Sequence, residues 1–207
     1  MNRSVFIKLM IFVSLAVPCS AKVKTTNPYA LQEGDIVFSS SALGQGEAII
    51  AATGSPHTHC GIVIQHKGRL MVLEAVQPVG ITSVEAFISH SNSGTFKAMR
   101  INAAPTPEAY RKARAWAVAQ IGRNYDPRFL WDDNNLYCSE LVWKIYQKAG
   151  LRLCEPKRFR DYNLKQPAVR KIIDQRFGGM DRVPMDEMVV APSDIAASRL
   201  LVEVPRK

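Results

Sequence analysis

Apolar and polar positions change period several times along the chain. Ile36-Val37-Phe38 is a short apolar run after the Gly34-Asp35 turn, the pattern of a strand. Leu43 to Thr53 carries apolar residues at helical spacing and meets a stop at Gly54-Ser55-Pro56. His59 to Gln65 and Leu70 to Ala75 are two strand-like runs joined by Lys67-Gly68, a hairpin signal, and Gln77-Pro78 breaks the second. Ser83 to Ser89 predicts a short helix with Ser83 as N-cap, and Phe96 to Ile101 another strand. Thr106-Pro107-Glu108 opens a helix expected to reach about Ile121 and stop at Gly122: Thr106 can cap, Pro107 suits the first turn, and Glu108 complements the dipole. After a polar connection over Trp131 to Asn135, a helix is expected from Tyr137 to Ala149, with Leu141, Val142, Ile145 and Ala149 as its core-facing stripe and Gly150 as its stop. The remainder is less regular, with a helix over Pro167 to Phe177 and a last strand near Leu200 to Val204. No repeat or low-complexity tract interrupts this order. It predicts a small antiparallel sheet with helices grouped around it, an α+β fold.

The two ends modify that picture. Arg3 and Lys8, the apolar run Leu9 to Val17 and the small residues Cys19-Ser20-Ala21 make residues 1–21 a signal peptide, too short for a comfortable membrane span. Pro18 makes Cys19 a poor site for lipid attachment. Residues 22–207 then form one domain, with 155–207 as a C-terminal region placed to cover the active face. Export puts the protein in the periplasm or outside the cell. The formal charge of +9 becomes +7 without Arg3 and Lys8, which favours weak association with anionic surfaces. Nucleic acid is not expected, because Lys and Arg are scattered apart from Lys157-Arg158-Phe159-Arg160, which reads as a solvated loop. Past Ala21 three cysteines remain, Cys60, Cys138 and Cys154. An odd number in an oxidising compartment leaves at least one thiol unpaired.

Cys138 stands at the start of its helix, where unpaired N–H groups and a partial positive charge favour a thiolate over a thiol of pKa about 8.5. A buried structural cysteine is the alternative. His59 opens an apolar strand and is the natural acceptor of a thiol proton, or else a strand-end residue bonded to solvent. Glu74 is a carboxylate inside Val72-Leu73-Glu74-Ala75, on the strand paired with that of His59. It either orients the imidazole or faces water from a sheet edge. Gly61 leaves room beside His59 for another backbone or a substrate. Alternation sends Cys60 to the opposite face from His59 and into the core. The tract His57-Thr58-His59-Cys60 lacks a supporting ligand cluster, so no metal is expected. Tyr125 offers a phenol near the nucleophile or is a turn aromatic, and Glu140 complements the helix dipole.

Gly34-Asp35-Ile36-Val37-Phe38, His59-Cys60-Gly61, Leu73-Glu74-Ala75-Val76, Asn124-Tyr125-Asp126 and Tyr137-Cys138-Ser139-Glu140-Leu141-Val142 occur in an order that resembles circularly permuted NlpC-type, papain-like proteins of the YiiX/YebB-like branch. The likeness covers most of the chain after residue 21, including Asp161 to Leu164 and Glu187 to Pro192. It implies an antiparallel sheet flanked by helices, with the histidine strand before the cysteine helix. It also implies Cys138 as nucleophile, His59 as base, Glu74 as orienting group and Tyr125 near the active site. Cys60 is a departure from the family pattern. Unpermuted relatives cleave cell-wall peptides, and the distantly similar lecithin retinol acyltransferase acts on lipid acyl groups. The expected function is an exported thiol hydrolase of amide or ester bonds, with cell-envelope peptides as first substrate and lipid acyl groups as second, and no metal or organic cofactor. A non-catalytic lipid- or peptide-binding module and a disulfide-linked structural protein are the rivals.

Overall fold

The computed structural model describes residues 27–40, 45–92 and 94–207. The signal peptide expected over 1–21, and the first residues of the helix expected from Leu43, lie outside the described residues. Six strands form one antiparallel sheet: β1 (Ile36–Ser39), β2 (His59–His66), β3 (Arg69–Glu74), β4 (Gly80–Ser83), β5 (Lys97–Ile101) and β8 (Leu201–Glu203), in the order β4-β3-β2-β1-β5-β8. The β2–β3 hairpin turns at Lys67 and Gly68, both with positive φ (49° and 76°), the backbone of a type I′ turn. Its register pairs Ile62 with Leu73 and Val63 with Val72, so Gly61 and Glu74 share a face. Buried Asp35 ties the sheet further along, accepting from Arg100 Nε at 2.6 Å and Nη2 at 2.8 Å.

Helices cover both faces. α3 (Pro107–Val118) and α4 (Cys138–Lys148) pack on the face carrying Ile36, Phe38, Cys60, Ile62 and Leu73. On the other face, α2 (Val84–Ser89) sets Val84 and Phe87 against Val37, Val63 and Val72. Ser83 and Thr106 cap α2 and α3 by accepting from Ala86 N and Ala109 N. A third apolar cluster joins α1 (Gly46–Thr53), Tyr137, Phe159 and α5 (Pro167–Phe177) with Val189 of β7 (Met188–Val189). β7 pairs with β6 (Lys157–Arg158), and α6 (Pro192–Ala196) follows. No described helix is long and apolar enough to cross a membrane.

Three expectations are corrected. β4 was not foreseen, because four half-buried residues after Pro78 show no alternation; it makes β3 an interior strand and takes Glu74 off the edge. α4 keeps its apolar stripe in the core but is buried beyond it: every residue from Cys138 to Tyr146 is buried, since α6 and the segment around Val190 enclose the side away from the sheet. Lys157 to Arg160 is not a loop but β6 and a short 3₁₀ turn, with Phe159 buried and Arg158 and Arg160 paired to Asp186.

Candidate active site

α4 begins at Cys138 because the chain turns from extended to helical at Tyr137, whose N–H donates to Glu140 Oε2 at 3.3 Å. Glu140, wholly buried, also pairs with Lys144 Nζ at 2.7 Å, so it does more than complement the dipole. The residues flanking Cys138 clamp the chain at Val190. Val190 N donates to Tyr137 Oη at 3.1 Å, and Ser139 Oγ donates to Val190 O at 2.6 Å. These bonds fix the thiol at the end of the helix, 3% exposed.

His59 and Glu74 meet across β2 and β3, with Nε2 and Oε2 2.6 Å apart. Gly61 permits this. A Cβ there would lie 2.5 Å from Val72 Cγ1 and 3.3 Å from Glu74 Cβ, so any other residue would push the β3 side chains away. Phe87 of α2 stacks on the imidazole with centroids 5.6 Å apart. Since Nε2 is engaged with Glu74, Nδ1 is the ring nitrogen left to face Cys138.

The electrostatics favour a charged pair. Burial alone would lower the His59 pKa. The Cys138 thiolate, the hydrogen bond to it and the Glu74 carboxylate outweigh burial and raise it to about 10. For Cys138, a hydrogen bond from the Cys60 thiol overcomes the opposing effect of burial, and with the His59 charge holds the thiol well below its ordinary range. Burial opposes ionisation of Glu74, but His59 and a hydrogen bond from Thr82 of β4 keep its pKa low. These shifts favour a thiolate beside an imidazolium held by a carboxylate, and the position of Cys138 at the first turn of α4 adds the positive end of the helix dipole.

Cys60 is buried in the core, as alternation implies, but the face it points to is the one α4 packs on. Its thiol therefore reaches Cys138, a contact the alternation argument alone did not include. Burial raises its own pKa well above the ordinary value. Cys60, Cys138 and Cys154 are all free thiols.

Tyr125 joins this site through a bridge to Leu136, two residues before Cys138; Leu136 N donates to Asn124 O and Asp126 N to Leu136 O, both at 3.2 Å. Its hydroxyl accepts from Gln45 Nε2 at 2.7 Å, and Gln45 Oε1 accepts from Arg176 Nη2 at 2.6 Å. Neither Gln45 nor Arg176 was singled out from sequence. Gln45 sits just before α1 and Arg176 in the last turn of α5, and nothing local marks either.

A cleft runs from Cys138 between α1, α5 and the Val189–Pro192 segment. Its wall is almost wholly apolar, with Ala48, Ala52, Phe129, Phe159, Val169 and Ile173 among its lining, and its cavity volume is about 100 Å³.

A family model described as "permuted papain-like amidase enzyme, YaeF/YiiX, C92 family" matches residues 30–204. The chain belongs to this permuted papain-like amidase family. Membership places it among hydrolases of papain-like type. Among the relatives of this chain, YiiX of Escherichia coli strain K12 is 33% identical over 177 residues, 85% of this chain and 87% of that protein. The crystal structure of yiiX from Escherichia coli O157:H7 superposes with a TM-score of 0.78 at 33% identity, covering 85% of this chain and 97% of that one. That structure is described as a metalloprotein. In the present chain, no three His, Cys, Asp or Glu side chains among the described residues converge to hold an ion, and His59 Nε2 is already engaged by Glu74. These residues do not fit a metal.

Proposed function

We propose that this amidase-family protein is a cysteine hydrolase of amide or ester bonds whose acyl side is apolar. The observation that carries the reading is the Cys138–His59–Glu74 cluster, whose Cys138 lines an apolar cleft. In this reading Cys138 Sγ adds to the substrate carbonyl carbon, and the carbonyl π pair moves onto oxygen, where helix N–H groups receive it. His59 Nδ1 gives its proton to the leaving nitrogen or oxygen as that bond breaks. Water, deprotonated by His59, then adds to the thioester and releases the acid, with Cys138 leaving as thiolate. Glu74 holds the ring and its charge throughout.

The apolar wall moves the substrate preference away from the envelope peptides expected from sequence. A peptide carries an amide donor and acceptor at each residue, and burying them here would leave most unpaired. A fatty acyl chain loses nothing by entering. Export through residues 1–21 to the periplasm or beyond, and attraction of the basic chain to anionic lipid surfaces, fit such a substrate.

The test is hydrolysis of p-nitrophenyl esters and N-acyl amides of increasing chain length by the protein lacking residues 1–21. Turnover should rise with chain length and vanish in Cys138→Ala. Turnover that survives Cys138→Ala sinks the cysteine reading; a stable complex with unaltered lipid in both proteins favours a binding module instead.

A further inference from the structure

Among the hydrogen bonds around the cleft, one chain has a direction set by chemistry. The guanidinium of Arg176 only donates. Nη1 donates to Pro127 O at 2.7 Å and Nη2 to Gln45 Oε1 at 2.6 Å, while the group lies 5.2 Å over the Phe129 ring. Because its neighbour can only donate, the Gln45 amide must present oxygen to Arg176 and nitrogen to Tyr125. An amide nitrogen cannot accept, so at 2.7 Å the Tyr125 oxygen accepts. The phenol proton is thereby left for a different acceptor, and among the described residues no protein atom takes it. Arg176 forms no salt bridge with a described carboxylate, although the Asp126 charge acts on it and on Tyr125 from nearby.

Tyr125 is well placed to use that proton. The bridge to Leu136 sets it beside the start of α4, and its ring packs against the apolar cluster that contains Cys138. We infer that Arg176 and Gln45 are positioning residues that aim the Tyr125 hydroxyl proton at the oxyanion formed when Cys138 adds to a carbonyl. This rests on the proposed role of Cys138 and extends it. The oxyanion then has two kinds of donor, the backbone N–H at the start of α4 and the Tyr125 O–H. Burial and the nearby Cys138 thiolate raise the phenol pKa, so Tyr125 keeps its proton and acts as donor rather than base.

Two reactions of the same thiolate separate this role from a structural one. Acylation of Cys138 by p-nitrophenyl decanoate passes through an oxyanion, whereas alkylation by iodoacetamide displaces iodide and forms none. Both rates are followed by intact mass in the chain lacking residues 1–21. Tyr125→Phe should slow acylation by about a hundredfold and leave alkylation within about twofold. Gln45→Glu should match it, because the introduced carboxylate takes the phenol proton for itself. The double variant should be no slower than either single one. Arg176→Met, which frees the amide to flip, should also lose acylation, and Arg176→Lys should restore part of it. Losses that multiply in the double variant, or that affect acylation and alkylation equally, overturn the relay. Slow wild-type alkylation with an ordinary thiol pH profile sinks the nucleophile reading itself, and the relay with it.

Discussion

A buried thiolate needs donors as well as a counter-ion, and at Cys138 a hydrogen bond from the Cys60 thiol and the His59 charge both hold the thiol pKa down. Cys60→Ala removes that donor and should raise the Cys138 pKa, moving the rise of the iodoacetamide rate to higher pH. The shift should be smaller in Cys60→Ser, which keeps a hydroxyl donor. Cys154→Ser in the background removes the half-buried third thiol. An unmoved profile in Cys60→Ala means that the thiol does not donate. The upper limb belongs to His59. In the proposed mechanism its imidazolium protonates the leaving group, and with a pKa raised to about 10 turnover should fall as pH rises through that value. Part of that elevation comes from Glu74, so Glu74→Gln should bring the falling limb to lower pH. A limb that stays in place means that the Glu74 charge does not reach the ring.

The strands hold these residues with little slack, and Gly61 is the tightest point. A methyl there meets Val72 Cγ1 at 2.5 Å and the Leu73 carbonyl oxygen at 3.0 Å, and the latter is backbone that cannot turn aside. Gly61→Ala should cost about 1–3 kcal/mol in urea unfolding. By pushing β3 away it should also lengthen the His59–Glu74 contact, lowering turnover more than the stability loss alone explains. The hairpin carrying both residues was legible because β2 and β3 are long, apolar and joined at Lys67-Gly68. β4 was hidden because it is short and half-buried, and with it went the reason Glu74 is enclosed rather than wet. Cys138 was visible at a helix start, but the burial of α4 on all sides depends on Val190 and Ile195, about fifty residues further along. Gln45 and Arg176 are 131 residues apart, and no local period could pair them.

At the scale of the molecule, the cleft is shared between parts of the chain that are distant in sequence. α1 supplies Ala48 and Ala52, the start of α4 supplies Tyr137 and Cys138, and the C-terminal third supplies Phe159, Val169, Ile173 and Val189. The permuted order brings the histidine strand in before the cysteine helix, and the residues after α4 return to close the other side of the thiol through the Tyr137 and Ser139 bonds to Val190. Cleft shape and nucleophile are thus built by different elements and can be changed separately. Ala52→Phe places a ring in the cleft from α1 without touching β2, β3 or the α4 start. If the cleft takes the acyl chain, this variant should lower kcat/KM for p-nitrophenyl decanoate by about tenfold or more, since lost apolar contacts cost roughly that much per methylene or two. It should spare p-nitrophenyl acetate, whose acyl group ends before the ring, and leave iodoacetamide alkylation of Cys138 unchanged. Equal losses on both esters place the acyl chain elsewhere on the protein. An unchanged decanoate rate shows that the apolar walls do not select the substrate.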